Sequence, residues 1–210
     1  MNKIGIVIPA FNESKTIKNI VLGANEFGIP IVVDDGSLDN TADIAKNNGA
    51  EIVIHDKNFG YDAALNSGFL KAKEIGCYCI ITLDADGQHS PDLLKLFIKS
   101  IKNGADVVLG VRDKTQRFAE RLFGIIAYNK FGIIDPLCGM NAYRTEIYNE
   151  LGHFDSYSSI GTELAIFAAK RNKKIEQIHF KTYDRLDNPR FGKIVIANFK
   201  IIRALLHALF

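Results

Sequence analysis

Asp84 and Asp86 stand two residues apart in Leu83-Asp84-Ala85-Asp86-Gly87-Gln88-His89, directly after the apolar run Cys79-Ile80-Ile81-Thr82. Short, β-branched and uncharged, that run predicts a strand covered on both faces. Alternate residues of an extended chain share a side, so the two carboxylates can converge on one point, with the amide oxygen of Gln88 just beyond. Hard oxygen donors of this kind suit Mg²⁺ or Mn²⁺, which fill their remaining positions with water and substrate phosphates. Without a cation the two acids repel each other. The expectation is therefore a metal-diphosphate site with Asp84, Asp86 and Gln88 as ligands. The plainer reading is a polar turn closing a strand, because turns favour Asp and Gly.

A strand-helix alternation has to position these groups. Residues 3–8 form an apolar run stopped by Pro9, and Asn12-Glu13-Ser14 supplies capping side chains before Ile17, Ile20 and Val21 recur at helical spacing. Residues 29–33 read as a second strand ending in Asp34-Asp35-Gly36-Ser37, after which Asp39, Asn40 and Thr41 cap a helix. A third strand over 51–55 leads into a helix over 61–73, and the strand before Asp84 is the fourth. Ser90-Pro91 starts the next helix and 106–110 is a fifth strand. Beyond it the pattern predicts a helix over 117–131, a loop and strand over 133–143, a helix over 162–170 and a last strand over 175–183. Alternation at this spacing implies right-handed crossovers and a largely parallel sheet, whose ligands bind beyond the carboxyl ends of the strands. Residues 9–13, Asp34-Asp35 and 84–88 all fall at such ends.

Composition narrows the function. The 210 residues bury about 70% of their unfolded surface, so a sizeable core is available. A net charge of +2 with 24% charged residues, and no basic stripe interleaved with aromatics, excludes a general nucleic-acid binder. Cys77, Cys79 and Cys138 show no metal-type spacing and read as reduced core thiols. The first residues enter a strand without the pattern of a signal peptide, and no stretch of about eighteen uncharged apolar residues occurs. The expected location is cytoplasmic.

Four segments carry a family resemblance: Ile8-Pro9-Ala10-Phe11-Asn12-Glu13, the stretch from Val33-Asp34-Asp35-Gly36-Ser37 to Asp39-Asn40-Thr41, Asp84-Ala85-Asp86-Gly87-Gln88-His89, and Val108-Leu109-Gly110-Val111-Arg112. In this order at strand ends, they make the chain resemble the inverting family 2 glycosyltransferases of the GT-A fold, most closely the dolichyl/polyprenyl-phosphate sugar transferases. A dinucleotide-binding Rossmann domain is disfavoured, because no Gly-x-Gly-x-x-Gly follows the first strand. The resemblance implies an α/β fold with a Rossmann-like, mostly parallel sheet and a UDP- or GDP-sugar as donor. By the same resemblance Pro9, Phe11 and Glu13 line the nucleoside pocket, Asp35 bonds the base or ribose, and Asp84, Asp86 and Gln88 hold the ion on the diphosphate, to which Arg112 adds a guanidinium. One domain is expected, with residues 1–112 as the nucleotide-sugar half, 113–192 as the acceptor side and 193–210 as an amphipathic helix.

The acceptor decides what else is needed. A sugar hydroxyl must lose a proton to a base, and Glu163, in Gly161-Thr162-Glu163-Leu164, matches the segment where the family places an acceptor-side carboxylate. A polyprenyl phosphate is already ionised and needs cations instead, which Arg185 and Arg190 supply in this reading. Lipid-phosphate members commonly carry Gly-Phe-Arg where this chain has Gly139-Met140-Asn141, and the change removes a phosphate contact. The final helix has Lys193, Lys200, Arg203 and His207 on one stripe and a broad apolar remainder. That pattern fits a peripheral helix in a membrane interface, and equally packing on the sheet or on a second copy in a homo-oligomer. His55, His153 and His179 read as structural or exposed, and His89 adjoins the site without partner spacing. A sugar-nucleotide binding protein without turnover is the alternative outside enzymology.

Overall fold

The computed structural model describes residues 2–113, 118–183 and 194–209. One sheet contains β1 (Lys3–Ala10), β2 (Ile29–Asp34), β3 (Glu51–Ile54), β4 (Cys77–Thr82), β5 (Val107–Arg112), β6 (Asn141–Arg144) and β7 (Ile175–Phe180), in the order β3-β2-β1-β4-β6-β5-β7. The helices are α1 (Ile17–Asn25), α2 (Thr41–Asn47), α3 (Tyr61–Glu74), α4 (Leu94–Lys102), α5 (Phe118–Phe131), α6 (Thr145–Leu151), α7 (Glu163–Lys170) and α8 (Ile194–Leu209). A single 3₁₀ turn, Pro91–Leu93, precedes α4, with Ser90 Oγ accepting from the Asp92 amide.

Period-two alternation divides the core into two layers. Ile6 and Ile8 of β1 face α1 and α4, joining Ile17, Val21, Leu94 and Phe97. Val7, between them, faces α3, joining Leu65, Phe69 and Ala72, and this second layer continues into α5, α7 and α8. Because both faces are covered, the strands read as nearly unbroken apolar runs. Close approach of α3 to the sheet requires Gly68, where a Cβ would lie 2.2 Å from Val7 Cγ1.

One expectation is corrected. β1 does not stop at Pro9 but runs to Ala10, pairing Pro9 with Val33. Pairing with β4 on the other side reaches only Val7, so no ladder bond there needs a donor from Pro9. β6, in turn, runs antiparallel to both neighbours, wedged between β4 and β5. Thr82 fixes it there: its hydroxyl accepts from the Asn141 amide at 3.0 Å and donates to the Gly139 carbonyl at 2.7 Å. The periodicity of four residues carries no information about strand direction. α6 had no sequence expectation at all.

Phe69 sits at the centre of the α3 layer, fully buried, with ring centroids of Phe154, Tyr148 and Tyr143 at 4.4, 5.4 and 5.9 Å. Phe69→Ala is expected to cost about 3–5 kcal/mol, as large-to-small core changes at aromatic sites do, measured by urea denaturation. A loss below about 1 kcal/mol would show that the layer does not depend on this ring.

Candidate active site at the carboxyl end of the sheet

The loops leaving β1 and β2 are locked to each other. Asn12 takes a left-handed backbone (φ 54°), a conformation Asn tolerates better than most residues. Its amide donates to Ser37 Oγ at 2.8 Å, and its Oδ1 accepts from the Leu38 amide at 2.8 Å. The amides of Glu13 and Ser14 donate to Thr41 Oγ1 at 2.8 Å and Asp39 Oδ2 at 3.2 Å. The capping expected of residues 12–14 is therefore not what they do: α1 begins after Thr16 with no side-chain cap, and these residues bind the neighbouring loop instead. Glu13 is buried, its Oε2 accepting from Thr16 Oγ1. Pro9 is the penultimate residue of β1, paired with Val33, and Phe11 opens the loop, half-buried.

Asp35 has internal partners. Its Oδ1 accepts from the Phe59 amide at 2.9 Å and meets His55 Nδ1 at 2.7 Å; its Oδ2 accepts from the Gly60 amide at 2.8 Å. His55 Nε2 in turn meets Ser67 Oγ at 2.9 Å on α3. Here Asp35 and His55 hold the loop that delivers the chain into α3, so His55 is structural, as expected, through a partner that spacing does not reveal.

Asp84 and Asp86 lie beyond the end of β4, both partly exposed. Asp86 Oδ1 accepts from the Gln88 amide at 3.0 Å, which closes the turn. Asp84 Oδ1 accepts from Tyr61 Oη at 3.2 Å, and His89 Nδ1 lies 3.8 Å from its Oδ2. Burial, and then the neighbouring Asp86, push the Asp84 carboxyl above its ordinary range, against the opposing pull of His89, Tyr61 and Arg112. A cation relieves both causes. Two further observations fit one: His89 Nδ1 is buried with no hydrogen-bond partner, and Gly139 faces Asp84 so closely that a Cβ would lie 2.1 Å from Oδ2. No group of three or more His, Cys, Asp or Glu among the described residues could hold a metal. Two carboxylates suit instead an ion that takes its other ligands from water and phosphate. The side-chain amide of Gln88 contacts the Tyr183 carbonyl at 3.5 Å through Nε2, while the Tyr183 amide donates to the Gln88 carbonyl at 3.0 Å.

Arg112, expected on the diphosphate, is bound within the protein. Nε and Nη2 make a bidentate pair with Asp135 at 2.7 and 2.9 Å, and Nη2 reaches Glu120 Oε2 at 3.4 Å. Burial opposes this charge, but the Asp135 hydrogen bonds more than offset it and hold the guanidinium above its ordinary range. Glu163 begins α7 with both oxygens engaged: Oε2 accepts from the Ser156 amide at 2.6 Å, and Oε1 from Ser156 Oγ at 2.8 Å, with His153 Nε2 at 3.0 Å. Asn141 offers nothing to a phosphate either, being buried with Oδ1 accepting from the Gly110 amide and Nδ2 donating to the Cys138 carbonyl. Arg185, Arg190 and Lys193 lie outside the described residues. Sequence reasoning missed Tyr61, Asp135, Glu120 and the nearness of His89 to Asp84.

Arg112→Ala leaves Asp135 buried without the guanidinium that it binds through both oxygens. The expected cost is about 3–5 kcal/mol, measured by urea denaturation. A loss within about 0.5 kcal/mol, as at ordinary surface positions, would mean that the guanidinium is free for another ligand.

A family model described as Glycosyl transferase family 2 matches residues 5–178. The UDP-N-acetylglucosamine–dolichyl-phosphate N-acetylglucosaminyltransferase of Methanococcus voltae is 31% identical, over 97% of this chain and 94% of its own length. The undecaprenyl-phosphate 4-deoxy-4-formamido-L-arabinose transferase of Serratia proteamaculans is 29% identical over 85% of this chain, which spans 60% of that protein. Among solved structures, glucosyl-3-phosphoglycerate synthase from Mycobacterium tuberculosis, in complex with Mn²⁺, UDP and phosphoglyceric acid, superposes with a TM-score of 0.80. It is 19% identical, and the match covers 99% of this chain and 78% of that one. The fold is thus that of the GT-A enzymes, and a match running through every strand of the sheet makes this chain a member of glycosyl transferase family 2, a glycosyltransferase.

Proposed function

We propose that the chain transfers a hexose-type sugar from a UDP- or GDP-sugar to a polyprenyl phosphate, with inversion, using Mg²⁺ or Mn²⁺ held by Asp84 and Asp86. The observation that carries this reading is the carboxylate pair beyond β4, cradled by Gly139 and faced by a buried, unpartnered imidazole nitrogen. Support for the donor comes from the N-acetylglucosaminyltransferase of M. voltae, whose name specifies a UDP-sugar, and from the Mn²⁺ and UDP of the glucosyl-3-phosphoglycerate synthase structure. The cation, when bound, supplies Lewis-acid neutralisation of the charge that develops on the departing diphosphate. Phe11 and Glu13 stand on the interlocked loops and Pro9 at the end of β1, where a base and ribose are received in this fold class.

The acceptor side favours a phosphate. Each oxygen of Glu163 already accepts hydrogen bonds, so a base at this position would first have to break them. A polyprenyl phosphate needs no base. In this reading Arg185 and Arg190 receive it; Tyr183, two residues before Arg185, is hydrogen-bonded to Gln88 beside the cation site. The two relatives act, by name, on dolichyl and undecaprenyl phosphate.

A lipid-linked acceptor is met at a membrane surface, and α5 and α8 offer a face for it. They pack on each other through Ala119, Phe123 and Ala127 against Ile201, Ala204 and Leu205. Each keeps an apolar stripe outward: Phe118 (80% exposed), Leu122 and Ile125 on α5, Phe199 (69% exposed), Ile202 and Leu206 on α8. Apolar stripes of this kind suit an interfacial helix pair. No helix among the described residues is long and apolar enough to cross a membrane. The basic stripe expected of α8 is partly used internally, with Arg203 Nη2 donating to the Tyr157 carbonyl and His207 stacking on Tyr157 at 5.0 Å.

Assayed with UDP- and GDP-hexoses, a polyprenyl phosphate and Mn²⁺, the protein is expected to form a lipid-linked sugar, and Glu163→Gln to keep that rate within about threefold. A fall of about 10²–10⁴ would instead assign Glu163 as general base and point to a hydroxyl acceptor. In flotation with vesicles of phosphatidylglycerol and phosphatidylethanolamine, Phe118→Ser/Ile125→Ser/Phe199→Ser is expected to lose most of the bound fraction. Flotation equal to the parent would remove the α5-α8 face from the membrane reading.

A further inference from the structure

Asp84 is approached from several directions and hydrogen-bonded from one. Tyr61 Oη donates to Oδ1 at 3.2 Å, His89 Nδ1 lies 3.8 Å from Oδ2, and the backbone of Gly139 closes on the same Oδ2. Neither ring is placed to swing away. Tyr61 is the first residue of α3, and its ring lies beside Gly161 and Phe154 of the loop before α7. His89 is 3% exposed and packs edge-on against Phe180 of β7, ring centroids 5.3 Å apart. A buried imidazole nitrogen without a hydrogen-bond partner is unusual enough to require an explanation. Its nearest acidic neighbour is the oxygen that a cation would draw on.

We propose that Tyr61 and His89 are positioning residues of the cation site, holding the two oxygens of Asp84 in one plane against the repulsion of Asp86. The proposal rests on the cation reading of Asp84 and Asp86. Its physical basis is the demand that Mg²⁺ and Mn²⁺ make on ligand geometry: a carboxylate free to turn would take up the orientation that best avoids Asp86, which is not the one that shares an ion with it. Asp86 gets its orientation locally, from the Gln88 amide two residues on. Asp84 has no such turn and gets it from α3 and from the end of its own loop. Tyr61 acts on one oxygen and His89 on the other, so each removes a different freedom.

Tyr61→Phe removes only the hydroxyl, and His89→Phe keeps an aromatic ring while removing both ring nitrogens. Binding of UDP and of GDP is measured by calorimetry, with Mn²⁺ and in EDTA, beside the thermal unfolding of each protein. In both variants the Mn²⁺-dependent gain in nucleotide affinity is expected to fall about 10- to 100-fold, the usual effect of removing a group that orients a metal ligand. Affinity in EDTA and cooperative unfolding are expected to stay near the parent's. A variant that keeps the parent's Mn²⁺-dependent gain within twofold removes its residue from the proposal. Equal losses with and without Mn²⁺ would make the residue a general support of the fold and overturn the proposal for it. Should the parent itself show no Mn²⁺-dependent binding of either nucleotide, the cation reading fails and this inference falls with it. Because His89→Phe and Tyr61→Phe disturb different elements, a folding defect in one leaves the other as an independent reading.

Discussion

The rest of the site answers to two like charges held close together at the end of a buried strand. Asp84 and Asp86 repel, and burial makes the Asp84 charge harder still to keep. A fold seeking stability alone would not place them so, because replacing such groups with apolar ones is often neutral or favourable. Around them the chain spends unusual means to keep Asp84 in position: a half-buried phenol, an imidazole nitrogen without a hydrogen-bond partner and a glycine at which a Cβ would collide. Strain of this kind concentrates where a ligand completes the structure.

The start of α3 is where the two halves of the site meet. Tyr61 reaches Asp84, Asp62 accepts from the Gly161 amide at 2.8 Å, and Asn66 Oδ1 accepts from the amides of Phe154 and Asp155. One helical turn and a half thus ties the end of β4 to the loop leading into Glu163. That loop carries left-handed backbone at Ser158 and at Ile160 (φ 59°), a costly conformation for a β-branched side chain. Asp155 sustains it by accepting from the amides of Ser158 and Ser159, both at 2.7 Å. From the far side Arg203 and His207 of α8 hold Tyr157. The loop is therefore fixed between α3, which reaches Asp84, and the helix proposed to meet the membrane.

What the sequence revealed, and what it withheld, follows from the range of each interaction. Asp84 and Asp86 were legible because a two-residue spacing at the end of an apolar run is a local pattern. The order of strands and helices up to β5 was legible for the same reason. The direction and place of β6 were not, although a strand was expected within 133–143: its antiparallel insertion between β4 and β5 depends on Thr82 and Asn141, 59 positions apart. Arg112 was placed at a strand end correctly, but its partner Asp135 lies 23 positions away, and no spacing rule joins them. The sequence names Asp35 and Glu163 as carboxylates at the site but not their internal partners, the backbone amides of Phe59, Gly60 and Ser156 and the side chains of His55 and His153. The departure at Gly139-Met140-Asn141 acquires a physical meaning only in three dimensions: Gly139 makes room for Asp84, and Asn141 joins β6 to β5.

The central claim is that a divalent cation joins Asp84 to Asp86 and to a nucleoside diphosphate. Anomalous diffraction at the manganese edge, from crystals grown with Mn²⁺ and UDP or GDP, tests it most directly. The account predicts one strong peak at about 2.1–2.3 Å from carboxylate oxygens at the end of β4, with the diphosphate completing its shell. A nucleotide bound without a peak there, or a peak held by other residues, would contradict it.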